Sequence, residues 1–343
     1  MRKNVLLLAG FIFTIQFARS QSVDSSTYYF QKGLQEKEAR RFREAEKFLT
    51  KANQLAPANG EILIELGNAY LAQNLYSQAR EKFTKADQLV PNNAVVIEQL
   101  ATLSSNLRQW NEAIKYAQKL QQLKTGKPMN FIIAKSYYEL DNFGESLKYC
   151  ELAFKEEATR AEIPYIAGRC FLEMSNYKRA AGCYEQAIAL DSTRNLWMFE
   201  AGMVYYSIPD DKKAIVWFEK AGAKGYPRNN VYLENLGNAY LNTGNYEKGV
   251  SFLEEVLQKR PGDQELIYNI ADAYYRGGRY KEAIDYWDKV LGIDKKNAKS
   301  LYMIGMAYQK KGETQKGVQL CDKAIEMDPS LKSLKQEKKM PGM

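Results

Sequence analysis

The chain has 343 residues, a formal charge of +8, four cysteines and no histidine. Without histidine there is no Ser–His–Asp or Cys–His nucleophile pair and no histidine metal ligand. No GxxxxGK(S/T) phosphate loop and no strand-borne GxGxxG occurs either, so the expectation is a non-enzymatic protein with no cofactor and no metal.

Residues 1–20 read as a secretory signal peptide. Arg2 and Lys3 give a positive start, Val5 to Ala18 is an apolar run of fourteen with one Gln, and Ala18-Arg19-Ser20 is a small–x–small cleavage site. Fourteen residues fall short of the roughly 20 that span a bilayer. Cleavage after Ser20 is therefore expected rather than a membrane anchor, and no later stretch could form an integral membrane segment. No cysteine lies near the cleavage site and no Asn-x-Ser/Thr sequon occurs. The expected location is outside the cytoplasm, in the periplasm or cell envelope of a Gram-negative bacterium. Arg2, Lys3 and Arg19 leave with the signal, so the +8 falls by three to +5. The Lys-rich tail at 332–343 holds much of that remainder, with Lys332, Lys335, Lys338 and Lys339 against Glu337. The body between is close to neutral, and no nucleic-acid surface is expected.

The stretch 60–93 sets the pattern for the body. Leu63, Leu66, Gly67, Tyr70 and Leu71 recur at helical spacing, then Ala79, Phe83, Ala86 and Leu89 do so again. Asn74 separates the two runs and Pro91 ends the unit, because proline cannot continue a helix. The stretch is a helical hairpin, and alone it would leave half its apolar surface in water. Pro57, Pro91, Pro261 and Pro329 are separated by whole multiples of the length of that unit. Gly33, Gly67, Gly168, Gly202, Gly237 and Gly305 occupy one place in the period, where a close approach of neighbouring segments is expected. Ala45, Ala79, Ala113, Ser146, Ala180, Ala214 and Ala283 occupy a second. Tyr70, Tyr137, Tyr205, Tyr240, Tyr274 and Tyr308 occupy a third and are expected in the core.

These positions resemble the tetratricopeptide repeat, with large–x2–large–small–x2–aromatic in helix A, small–x3–aromatic–x2–small in helix B, and a following proline. The resemblance implies an all-α, right-handed superhelical solenoid of about nine hairpins. The repeats fall at 26–59, 60–93, 94–127, 128–160, 161–194, 195–228, 230–263, 264–297 and 298–331, within a body of 21–331. Lys32 replaces a large apolar residue in the first, as suits an end repeat with no upstream neighbour. Pro164 falls in a first helical turn, where proline is tolerated, and Pro209 in a turn between helices. Leu331 and Leu334 start a short capping helix. Cys150, Cys170, Cys183 and Cys321 show no CxxC spacing and read as buried thiols. Cys170 and Cys183 are the one pair placed for a disulfide.

The resemblance also implies a function: binding a segment of a partner protein in the concave groove lined by the A helices. On that register the groove carries Phe131, Lys135, Tyr138, Tyr165, Arg169, Phe199, Tyr206, Tyr268, Asp272, Tyr275 and Tyr302. Aromatics with interspersed arginine are what partner-binding surfaces collect, although tyrosines on such a face also pack between repeats. The earlier repeats place Glu61, Glu65 and Glu98 on the same side. A carboxylate clamp of Lys, Asn, Asn, Lys and Arg is matched only by Asn238, Asn269 and Lys299. Glu234 and Met303 stand at its other two places, so it is set aside. The alternative reading is a structural subunit of an envelope assembly or secretion machine that uses its convex face or end repeats.

Overall fold

The computed structural model describes residues 25–124 and 126–336. The expected signal peptide, its cleavage site and the end of the Lys-rich tail lie outside the described residues. The described chain is all α-helical apart from one short 3-10 turn and contains no strand. It forms two compact units, one up to residue 174 and one from residue 175.

The first unit holds α1 (25–38), α2 (Phe42–Leu55), α3 (Gly60–Ala72), α4 (Tyr76–Leu89), α5 (Ala94–Asn106), α6 (Trp110–Gln122), α7 (Asn130–Glu139), α8 (Phe143–Glu156) and α9 (Glu162–Glu173). From α2 onward each of these helices packs on the next in the chain, and α7 also meets α5 and α9. The second unit holds α10 (Tyr177–Leu190), α11 (Asn195–Ser207), α12 (Asp211–Ala223), α13 (Asn230–Asn242), α14 (Tyr246–Lys259), α15 (Gln264–Arg276), α16 (Tyr280–Ile293), α17 (Ala298–Lys310) and α18 (Thr314–Met327). A 3-10 turn at Pro329–Leu331 and α19 (Lys332–Gln336) follow, so a short terminal helix does form where Leu331 and Leu334 predict one. Neighbouring helices again pack in chain order.

Local chemistry explains the helix ends. Asn59, Asn93, Asn229 and Asn297 each accept backbone N–H bonds at the start of an A helix, and Asn142, Asn176 and Asn245 do the same for B helices. Pro164 lies in the first turn of α9. The turn from helix A to helix B needs one residue in the left-handed region. Arg40, Asn74, Arg108, Asp141, Ser175 and Pro209 hold it in the earlier hairpins, and Gly244, Gly278 and Gly312 in the last three. Only glycine takes that backbone without strain.

The recurrent glycine has two kinds of neighbour. A Cβ on Gly67 or Gly202 would lie 2.9 or 2.5 Å from the ring of Phe83 or Phe218, so the missing side chain is the socket for the large residue of helix B. At Gly305 backbone closes in as well, with the Gly317 carbonyl oxygen and the Cys321 Sγ each 2.7 Å from such a Cβ. The cores follow from this: Phe83, Leu100, Leu103 and Leu120 are fully buried in the first unit, and Tyr184, Phe218 and Trp287 in the second. Lys32 is half-buried, with its ammonium 5.3 Å from the Tyr28 ring and 5.5 Å from that of Phe48. The four cysteines are thiols; Cys150, Cys170 and Cys321 are buried and Cys183 is half-buried. The Cys170–Cys183 disulfide is not formed.

Candidate protein-binding faces

In the first unit the expected groove residues come from two adjacent A helices. Phe131, Lys135 and Tyr138 follow one another on α7 at steps of four and three, and Tyr165 and Arg169 on α9 at a step of four, so each set shares one face. All five are half-buried. The Arg169 guanidinium lies 5.0 Å from the Tyr138 ring centroid and 6.0 Å from that of Tyr165, joining the two helices across their exposed side. Arg160 stacks at 4.0 Å on Phe131, and Lys135 lies 5.8 Å from the Trp110 ring. Such contacts contribute about 0.5–1 kcal/mol at exposed sites. Phe131, Tyr138 and Tyr165 also lean on the buried cluster of Ala134, Cys150, Ile163, Ile166 and Cys170. Burial pushes the Tyr138 hydroxyl pKa up, against the pull of Arg169. The rings are therefore part core and part surface.

The second unit distributes its six residues differently. Phe199 on α11 is buried, stacked on Tyr226 at 4.3 Å and within 5.4 Å of Phe218. Tyr302 on α17 is buried in the cluster of Ala298, Met306, Cys321, Ile325 and Leu331. These two are buried where the sequence reading placed them on the groove, and both pack against their own fold. Tyr206 is half-buried and has no hydrogen bond, ion pair or ring contact among the described residues. Tyr268 and Tyr275 on α15 lie 6.0 and 5.8 Å from the fully buried Trp287 of α16. Lys299 sits 4.7 Å over the Tyr268 ring, and Asp272 pairs with Arg276 at 3.1 Å. Burial, helped by Asp272, pushes the Tyr268 hydroxyl up to about 12.

Three of the acidic residues of the early repeats and the clamp positions are engaged. Glu65 is paired with Lys37, Glu234 with Arg260, and Lys299 with the Tyr268 ring. A different polar device escaped the sequence reading. The core tyrosines of three successive A helices donate their hydroxyls to carboxylates of the preceding B helices: Tyr205 to Glu185 at 2.7 Å, Tyr240 to Glu219, and Tyr274 to Glu254 at 2.9 Å. Tyr286 donates to the same Glu254 at 2.6 Å. The signal was a glutamate at a nearly constant sequence separation before each tyrosine. Among the described residues no group of three or more Cys, Asp or Glu side chains could hold a metal, and no helix is long and apolar enough to cross a membrane.

Hairpins of two helices, packed in chain order within each unit and several of them locked internally by a glycine socket, define a helical-repeat scaffold. The chain belongs to the tetratricopeptide repeat family, whose models match residues 37–82, 165–230, 234–298 and 298–331. The family is generally a non-enzymatic one, and its fold makes this chain a protein–protein interaction module. No curated protein matches. Among solved structures, the C-terminal part of a repeat protein of this family from Cytophaga hutchinsonii is 22% identical with a TM-score of 0.48, covering 70% of this chain and 98% of its own. YrrB, described as having an unusual peptide-binding site, is 24% identical with a TM-score of 0.45, covering 56% of this chain and 98% of its own. MamA from Desulfovibrio magneticus is 17% identical with a TM-score of 0.42, covering 50% of this chain and 96% of its own.

Proposed function

We propose that the A-helix faces bind segments of a partner protein, with no chemistry performed on them, and that the protein works after export across the inner membrane. The reading rests on the α7/α9 face, where Tyr138 and Tyr165 are half-buried and Arg169 is stacked on both. Rings already held on one side lose little freedom when a partner covers the other side, which is the property of residues that dominate binding energy. Tyr206 offers a second such anchor on α11. A segment with acidic and aromatic residues suits these faces.

The test measures binding and stability together on Tyr165→Ala and Tyr206→Ala. As contacts, each substitution weakens binding by about 2 kcal/mol or more, roughly thirtyfold, while the melting temperature hardly moves. As packing residues, each costs about 3 kcal/mol of stability and affects binding only through unfolding. Unchanged affinity with a lowered melting temperature ends the reading for these residues. Mass spectrometry of the protein recovered from its native cells tests the export: the expected N-terminus is Gln21, and an intact Met1 contradicts it.

A further inference from the structure

Among the described residues, the stack of the second unit is incomplete beyond α18. Within it α15 packs on α14 and α17 packs on α16. Val250 of α14 and Ile284 of α16, at the same place in the period, are accordingly only 2% and 6% exposed. Val318, one full period beyond Ile284, stands at that place on α18 and is 40% exposed. A cavity of about 410 Å³ opens beside it, lined by Tyr302, Met306, Gln309, Thr314, Cys321 and Lys310. Among the described residues, the one lining side chain from beyond α18 is Leu334 of the five-residue α19, itself 40% exposed. A helix of five residues spans about 7.5 Å, against roughly 20 Å for an A helix such as α17. The repeat has prepared a bed for a full A helix, and the described residues place only the short α19 on it.

The rim of that bed is basic. Lys310, in the lining, and Lys332, on the same short helix as Leu334, carry no ion pair among the described residues. We propose that this end face binds an amphipathic helix of a partner protein, apolar toward Val318, Met306 and Leu334 and acidic toward Lys310 and Lys332. The apolar side takes the place that α15 and α17 take on their preceding hairpins. The acidic side answers two exposed lysines that carry no ion pair among the described residues. This surface shares Tyr302 with the expected groove but no residue with the α7/α9 face or Tyr206, on which the proposed function rests, and it stands or falls without them.

The probe is a labelled, end-capped peptide of residues 264–276, the α15 sequence, which fills the equivalent bed on α14 and carries Glu265 and Asp272. Fluorescence anisotropy with the full chain is expected to show saturable binding, about tenfold or more weaker to Val318→Asp, and weaker to Lys310→Glu. Circular dichroism of Val318→Asp should match the parent, since the residue is already largely solvated. Binding that survives Val318→Asp overturns the proposal. Equal binding of a peptide with Glu265→Lys and Asp272→Lys overturns the acidic partner. A dimer in sedimentation velocity that Val318→Asp abolishes assigns the bed to a second copy instead. About tenfold tighter binding to a chain ending at Gln336 assigns it to residues 337–343.

Discussion

The two units use one apolar lock and two different polar seams. In both, a ring of helix B seats on a glycine of helix A: Phe83 on Gly67 in the first unit, Phe218 on Gly202 in the second. Between hairpins they diverge. The second unit repeats one bond, tyrosine hydroxyl to preceding carboxylate, at three successive junctions. The first unit has no such series among the described residues. There Ser104 stands at the tyrosine place and is fully buried, Tyr137 stacks on Tyr149 at 5.7 Å, and the junctions carry assorted polar contacts such as Lys119 to Asp87 at 2.9 Å. The apolar period thus fixes the stacking while the seam is free to vary. A buried aromatic with a satisfied hydroxyl and a smaller residue among aliphatics both close it.

The strongest way to break the comparison is to remove the shared lock. Phe83→Ala and Phe218→Ala should each cost about 3–5 kcal/mol, read as loss of amide-exchange protection in the unit concerned. A much smaller loss in either unit would show that its lock is not the common one. The seams should differ more subtly. Tyr205→Phe leaves Glu185 without its donor and should cost about 1.5–3 kcal/mol. Tyr137→Phe, where no hydroxyl bond is made, should change stability by less than about 0.5 kcal/mol. Equal effects in denaturant melts would erase the distinction between the seams.

The turns sharpen it further. Every A-to-B turn of the first unit places a non-glycine residue in the left-handed region, Arg108 at φ 57° among them, whereas Gly278 holds φ 76° in the second. Arg108→Gly should stabilise by up to about 1 kcal/mol, and Gly278→Ala should destabilise by a similar amount. Opposite signs in thermal melts are the expected result.

The last effect is a pH dependence that shows only in alkali. Burial, then the bond to Glu254, pushes the Tyr274 hydroxyl up to about 12, and the same kinds of cause raise Tyr205 and Tyr286. A raised tyrosine pKa means the folded state keeps a proton that the unfolded chain gives up near pH 10. The stabilisation is full below about pH 10 and is lost as pH climbs toward about 12. In alkaline titration the second unit should lose exchange protection as phenolate absorbance appears, and Tyr274→Phe should flatten that dependence.

Much of this was legible in the sequence, because the period concerns volume. A glycine in one helix opposite a phenylalanine in the next, an alanine, and a closing proline state which surfaces can interlock, and the helices stand where those residues predict. Side-chain direction was less legible. Phe199 and Tyr302 share a register position with half-buried Phe131 and Tyr165, yet both are buried. The cause at Phe199 is Tyr226, from the link after α12, which stacks on it. At Tyr302 the cause is Leu331, from beyond the last helix B, in the same cluster. Links and ends lie outside the repeat, so the period carries no information about what they cover. The tyrosine–carboxylate bonds were hidden for another reason. Each joins two hairpins, and a reading of one hairpin at a time sees a core tyrosine and an ordinary surface glutamate.

Those bonds also act on structures the chain must avoid. Repeats that resemble one another invite misalignment, because a hairpin stacked one residue out of place still buries apolar side chains. One residue of slip rotates a helical side chain by about 100°. Glu185, Glu219 or Glu254 would then leave its phenol, and a hydroxyl would be sealed in the core with no acceptor. The cost of such an orphan is about 1–3 kcal/mol, and it recurs at each of three junctions. The ladder therefore serves as a register lock, favouring the correct alignment over near copies of itself.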